Sequence, residues 1–245
     1  MDSGAQIDSG TSNTGRGGDI TIHATDRISM SETLSDGSPA GVFSRTIGSE
    51  PDAGSGGNIA LTAGQSVTIS DSASVSAGST GPGKAGNVSI SGDSLTVASG
   101  GRIEASTSGA GNGGSIAITT TGDVTVSGVS TDGQTRSGIF AKTLTSGGIA
   151  GGGSGGGTGG GGNGSGGGSG GGGAAPKPGN AGDITIAATN LLLDGGAQID
   201  SSTTSGGAGG TVSITTAENI TIAGSSTRLT SDATRGNGKG GSITL

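Results

Sequence analysis

The sequence predicts an all-β chain wound as a parallel β-helix, a solenoid with three short strands per rung and about six rungs. Three observations carry this. A six-residue motif recurs seven times along 245 residues, the runs between its copies alternate apolar with small residues, and 60 residues are Gly while only Phe43 and Phe140 are aromatic. Without a period such a composition signals disorder. With one, it calls for a fold whose core is too thin for rings.

The motif is a small-residue pair, a polar or small residue, then apolar, small, apolar. Its copies are GGDITI from Gly17, GGNIAL from Gly56, AGNVSI from Ala85, GGSIAI from Gly113, AGDITI from Ala181, GGTVSI from Gly209 and GGSITL from Gly240. Successive starts are 39, 29, 28, 68, 28 and 31 residues apart. Period-two alternation rich in Ile, Val and Thr marks a half-buried strand. Repetition at one spacing stacks Ile20, Ile59, Val88, Ile116, Ile184, Val212 and Ile243 in one interior column, and Ile22, Leu61, Ile90, Ile118, Ile186, Ile214 and Leu245 in a second. Thr21, Ala60, Ser89, Ala117, Thr185, Ser213 and Thr244 then face solvent. At the start of these strands Asp19, Asn58, Asn87 and Asp183 recur, either as turn residues or as an amide ladder bonding to backbone, with an occasional bound cation as the sharper alternative.

A second alternating run follows each of the first six copies: ISM from Ile28, VTI from Val67, LTV from Leu95, VTV from Val124, LLL from Leu191 and ITI from Ile220. It presents Thr68, Thr96, Thr125 and Thr221 outward. An ice-binding face would need two regularly spaced threonines per rung, and most rungs offer one.

The third run closes the rung: GVFSRT from Gly41, ASVSA from Ala73, GRIEAS from Gly101, GIFAKT from Gly138, GAQIDS from Gly196 and TRLTS from Thr227. GAQIDS also occurs from Gly4. Ile7 and Ile199 should point inward, with Gln and Asp flanking them outside. For GVFSRT and GIFAKT the side stays open, because placing Phe43 and Phe140 inside drives Arg45 and Lys142 toward the same side.

Residues 1–146 are therefore read as rungs, 147–179 as a Gly-rich loop or linker, and 180–245 as rungs continuing the same rod. From Gly147 to Gly173, 20 of 27 residues are Gly. This tract falls after a third strand and before a first strand, where other units carry only a turn, so it inserts in phase. Loop closure entropy grows only logarithmically with length, so a rod tolerates such a corner loop.

Candidate chemistry is sparse. GSTGPGK, Gly78 to Lys84, resembles a phosphate loop, but Ala85 replaces the metal-binding hydroxyl and no helix follows. His23 stands alone and points outward, and with no Cys and no second His neither a triad nor a transition-metal site can be assembled. β-Helices also serve enzymes that act on acidic polysaccharides, which need clustered carboxylates on one flank. Arg102 and Glu104, either side of Ile103, are the best local pair; Ser74, Ser76, Ile139 and Ala141 occupy the comparable places on adjacent rungs. The simpler reading of that pair is an exposed ion pair worth under ~1 kcal/mol. Arg16, Lys84, Lys177, Arg235 and Lys239 gather at the third-to-first corner, as solvated turn charges or as an attraction for anionic glycans.

A net charge of -7 disfavours nucleic acid and anionic membranes as partners. No run approaches the ~20 apolar residues of a membrane helix, and the first residues show neither the basic nor the apolar region of a signal peptide. The chain begins and ends within the repeat, as a truncated product or a fragment of a longer one would.

Units such as GNAGDITIAATNLLLDGGAQIDSSTTSGGAGG, residues 179–210, resemble the repeats of filamentous-haemagglutinin-like exoproteins of the two-partner secretion pathway, abundant in cyanobacteria and also labelled surface-layer-family proteins. The resemblance covers nearly the whole chain outside the glycine tract. It implies a right-handed β-helical shaft, secreted or held at the cell surface, with roles in adhesion or aggregation, and it transfers no site residues. The expectation is a non-catalytic shaft segment of an adhesin, without cofactor, catalytic residues or metal, whose partners are neighbouring chains end to end and cell-surface glycans. A carbohydrate-active β-helix enzyme or glycan-binding module is the alternative.

Overall fold

A computed structural model describes residues 4–33, 37–48, 52–144 and 179–245. The chain opens with β1 (Gln6–Asp8) and then climbs in threes. The first rung is β2 (Ile20–Ala24), β3 (Ile28–Met30) and β4 (Gly41–Phe43); the second is β5 (Ile59–Ala63), β6 (Ser66–Ile69) and β7 (Ser74–Ser76). Rungs three and four are β8 (Val88–Gly92), β9 (Ser94–Ala98) and β10 (Arg102–Glu104), then β11 (Ile116–Thr120), β12 (Val124–Ser127) and β13 (Gly138–Phe140). Two more follow: β14 (Ile184–Ala188), β15 (Leu191–Asp194) and β16 (Gln198–Asp200), then β17 (Thr211–Thr216), β18 (Ile220–Ile222) and β19 (Arg228–Thr230). β20 (Ser242–Thr244) ends the series. Each position in the rung builds its own parallel sheet, and the described residues contain no helix. The fold is a parallel β-helix with three strands per rung.

Register follows the aliphatic columns. Ile20 pairs with Ile59, Val88, Ile116, Ile184, Val212 and Ile243 in turn, and Ile22 with Leu61, Ile90, Ile118, Ile186 and Ile214. Rungs in the middle of the rod bury these side chains almost completely, Ile116 to 1% exposure. Each such burial contributes about 1.5–3 kcal/mol. The column is narrow because three sheets enclose it, so Val, Ile, Leu, Ala and Met30 fill it.

Glycines hold the third-to-first corner. Gly18, Gly57, Gly86, Gly114, Gly182, Gly210 and Gly241 stack so tightly that a Cβ on Gly86 would stand 2.0 Å from the carbonyl of Gly57, and one on Gly182 2.0 Å from that of Gly114. The second residue of the motif is Gly in every copy; a Cβ at the first position also approaches backbone, at 2.5 Å on Gly56 and 2.7 Å on Gly113, yet Ala85 and Ala181 occupy that place. Hydroxyls cover the exposed carbonyls beside them: Ser44 Oγ donates to Gly18 at 2.5 Å, and Thr143 Oγ1 to Asn180 at 2.6 Å. Thr46, Thr107, Thr143 and Thr203 are buried in a parallel bridge ladder along this corner.

Most of the 147–179 segment lies outside the described residues. On its two sides the rod is in register: β11 pairs directly with β14, and Gly179 packs onto the carbonyl of Gly111.

The third sheet decides the aromatic question. Ile7, Val42, Val75, Ile103, Ile139, Ile199 and Leu229 form its inward ladder, so Phe43 and Phe140 face outward beside Asp8, Ser76, Glu104 and Asp200. Consequently Gly138 and Phe140, not Ile139 and Ala141, are the counterparts of Arg102 and Glu104. The inward aliphatic sets the phase, and a one-residue shift would turn every side chain of the strand over. Both rings are nonetheless covered, to 1% and 4% exposure.

The repeated hexapeptide acquires a partner here. Asp8 of the first copy lies 3.9 Å from Arg45, two residues past the end of the adjacent strand β4, and Asp200 of the second forms an ion pair with Lys142 at 2.7 Å. Both copies neighbour a strand of the Phe-x-basic type. Asp200 is 8% exposed rather than free on the surface, because Lys142 and the Ser202 N–H enclose it.

Candidate functional site

A solid aliphatic interior leaves only the outer faces for ligands. The first-sheet face is polar and even, carrying Thr21, Ser89, Ala117 and Thr185 exposed, with His23 exposed at its margin. The third-sheet face is not even. Two connections from second to third strand are long, and each folds back on itself through an antiparallel bridge, Thr33 with Pro39 and Val129 with Arg136. Between them, rungs two and three turn the same corner in a few residues. The result is an open groove of about 710 Å³, walled by the excursions of rungs one and four and floored by rungs two and three.

Both walls are anchored from behind. Gln6 Nε2 donates to the Pro39 carbonyl at 2.8 Å, and Arg136 reaches the Gly196 carbonyl at 2.9 Å. The second wall is also tied internally. Ser130 N donates to Thr135 O at 2.7 Å, and the Asp132 carboxylate accepts from Ser130 Oγ and from Gln134 N at 3.0 Å. Those two bonds, the Ser130 hydroxyl first, hold the Asp132 carboxyl below its ordinary range.

The floor carries the charged pair singled out from sequence. Arg102 Nε donates to Glu104 Oε1 at 2.6 Å with a terminal nitrogen on the same oxygen, while its guanidinium lies 4.2 Å from the Phe140 ring centroid. Arg45 stacks likewise on Phe43 at 4.3 Å. The rings therefore serve as supports for cations rather than as an exposed stacking platform. One Arg45 atom, Nε, is buried without an acceptor.

Backbone conformation marks the same place. Five described non-glycine residues have φ in the left-handed region, and four of them, Glu32, Asp71, Ser72 and Ser99, line this groove. The equivalent corner in rung five uses Gly195 and Gly196.

Other candidates resolve into structure. Asp19, Asn58 and Asn87 each accept, through a side-chain oxygen, the N–H of the residue one rung on: Asn58 at 2.7 Å, Asn87 at 3.0 Å and Ser115 at 2.9 Å. Asp183 does the same for Thr211 at 2.7 Å. This is the amide ladder, continued on other columns by Asn112 with Asn180 and Asn190 with Asn219. Among the described residues no group of three or more His, Asp or Glu is placed to hold a metal. At the basic corner Arg16 pairs with Asp19, Lys84, Arg235 and Lys239 are exposed, and Lys177 lies outside the described residues. The Gly78 to Lys84 segment forms a bend with no helix behind it.

Sequence reasoning found Arg102 and Glu104 but missed Glu32, Asp71, Ser99 and Asp132. A usable signal was present: GVFSRT and GIFAKT, alone in carrying Phe, both follow a long second-to-third connection. No family model matches the chain, and neither the curated proteins nor the solved structures give a match.

Proposed function

We propose that the chain is a structural shaft, a rod segment of a secreted or surface-attached adhesin-type protein, without catalysis. The observation that carries this is register continuity: the first-strand ladder runs unbroken from Ile20 to Ile243, including the step from Ile116 to Ile184 that spans the glycine tract. Such a ladder transmits position along an axis, with rungs spaced about 4.8 Å. On the outermost described rungs Ile7, Ile222, Ile243 and Leu245 are 40%, 43%, 44% and 62% exposed, aliphatic surface that a further rung or a second chain would cover. Placement outside the cell rests on the resemblance of the repeats to filamentous-haemagglutinin-like exoproteins.

One feature weighs against the enzyme alternative. A general acid for glycoside cleavage needs a raised carboxyl pKa, whereas the Asp132 carboxyl in the groove wall is shifted down. The decisive test is surface labelling of native cells with antibody to the rod, together with loss of cell aggregation when the gene is deleted. Exclusively intracellular signal, or depolymerisation of pectin or alginate abolished by Glu104→Gln, would overturn the proposal.

A further inference from the structure

The groove on the third sheet points to a binding site for an uncharged, hydroxyl-rich chain, a neutral oligosaccharide lying along the strand direction between the two walls. This goes beyond the shaft reading and does not depend on it, since a rod without a ligand would still be a rod.

Shape is the first ground. The walls stand three rung steps apart, roughly 14 Å at the ordinary strand spacing. Each is held by its own bridge and by an anchor on the far side, at Gln6 and at Arg136, so the groove is formed before any ligand arrives. Its volume of about 710 Å³ lies within the range of small-molecule sites.

Backbone strain is the second. A side chain in the left-handed region costs about 1 kcal/mol or more over glycine. Rung five turns this corner with Gly195 and Gly196, yet the groove floor turns it with Asp71 and Ser72 in rung two and with Ser99 before Gly100 in rung three. Glycine would fit both corners better. The side chains at these corners border the groove with a carboxylate and two hydroxyls.

Charge excludes one ligand class and hydrogen bonding favours another. Glu32, Asp71, Glu104 and Asp132 repel a polyanion such as a polyuronate. Arg102 and Arg45, also in the lining, offset two of these four carboxylates and are themselves committed to carboxylates and rings. The mixed carboxylates and hydroxyls suit a ligand that both donates and accepts hydrogen bonds, and a sugar does so without the desolvation that an ammonium ion would cost. A sugar hydroxyl donates to Asp71 or Asp132 and accepts from Ser72 or Ser99.

The experiment is titration calorimetry of the full chain with cellopentaose, xylopentaose and mannopentaose, against tetragalacturonate and spermine. At least one neutral pentasaccharide should bind, and tenfold or more tighter than either charged probe. Ser72→Gly and Ser99→Gly should each raise the urea midpoint while weakening that binding at least fivefold, and Asp71→Asn should weaken it with the midpoint unchanged. No binding by any of the three sugars, tighter binding of tetragalacturonate or spermine, or full binding by the glycine variants overturns the inference. A folded rod that fails these titrations leaves the shaft reading standing.

Discussion

The guanidinium of Arg102 lies 4.2 Å from the ring centroid of Phe140, which belongs to the next rung. Phe140 in turn folds over Gly138, where a Cβ would stand 2.5 Å from the ring. An aromatic that the narrow column cannot hold is thus buried on the outside, beneath a cation that the rung below supplies.

Removing that ring should be felt as a core change. Phe140→Ala is expected to lower stability by about 2–4 kcal/mol, and a double-mutant cycle with Arg102→Ala should show coupling of about 0.5–2 kcal/mol. Urea unfolding followed by far-ultraviolet circular dichroism measures both; zero coupling would mean the stacking is incidental.

Glycine at the second motif position is a steric demand, not a compositional habit. In Gly114→Ala the new methyl would meet the Gly86 carbonyl at 1.9 Å, whereas the nearest atom to a methyl on Gly240 is 3.8 Å away. The first change should destabilise by about 3 kcal/mol or more and the second by less than about 0.5. Thermal melts of the two variants compare them directly.

The amide ladder predicts an asymmetry between two substitutions at one site. Asn58→Ala leaves the Asn87 N–H without its acceptor and should lower stability by about 1–2 kcal/mol. Asn58→Asp keeps an accepting oxygen, as Asp19 and Asp183 already show, and should stay within about 0.5 kcal/mol of the parent. Equal losses from both changes would refute the ladder's role.

Acid should loosen the second wall of the groove. The folded Asp132 carboxyl titrates below its ordinary value of 3.8, held down by Ser130 and then Gln134. Its contribution is therefore fully present above that value and lost as pH falls through the lower folded one. Asp19, held down by Arg16 and then by the Asn58 N–H, behaves alike. Urea midpoints should fall on acidification below pH 3.8, less steeply in Asp132→Asn; identical slopes would contradict the assignment.

End-to-end pairing is testable on the 245-residue chain. Sedimentation velocity should show concentration-dependent association, reduced in a variant carrying Ile243→Lys and Leu245→Lys, whose charges oppose pairing at the exposed edge. A monodisperse monomer at high concentration would count against the association.

Much of the fold was legible because a solenoid repeats one local problem. Ile20 and Ile59 share a column since each sits at the same place in the same motif, and a period in the sequence becomes a period in space. Arg102 and Glu104 were visible for the same reason, two residues apart on one strand. Their neighbours were harder to see. Phase across the third sheet depends on which aliphatic enters the column, and in GIFAKT both Ile139 and Phe140 compete for that place.

By itself the sequence determined the strands, their order in the rung and the glycine corners, since alternation and turn chemistry act over a few residues. Tertiary structure alone decided that Phe43 and Phe140 lie outside, that Asp200 meets Lys142, and that Asp71, Ser99 and Asp132 border one groove. The physical reason is distance along the chain. Residues about 30 apart in sequence come within one strand spacing of each other only once the rungs stack, and the walls of the groove exist only because the rungs between them turn tightly.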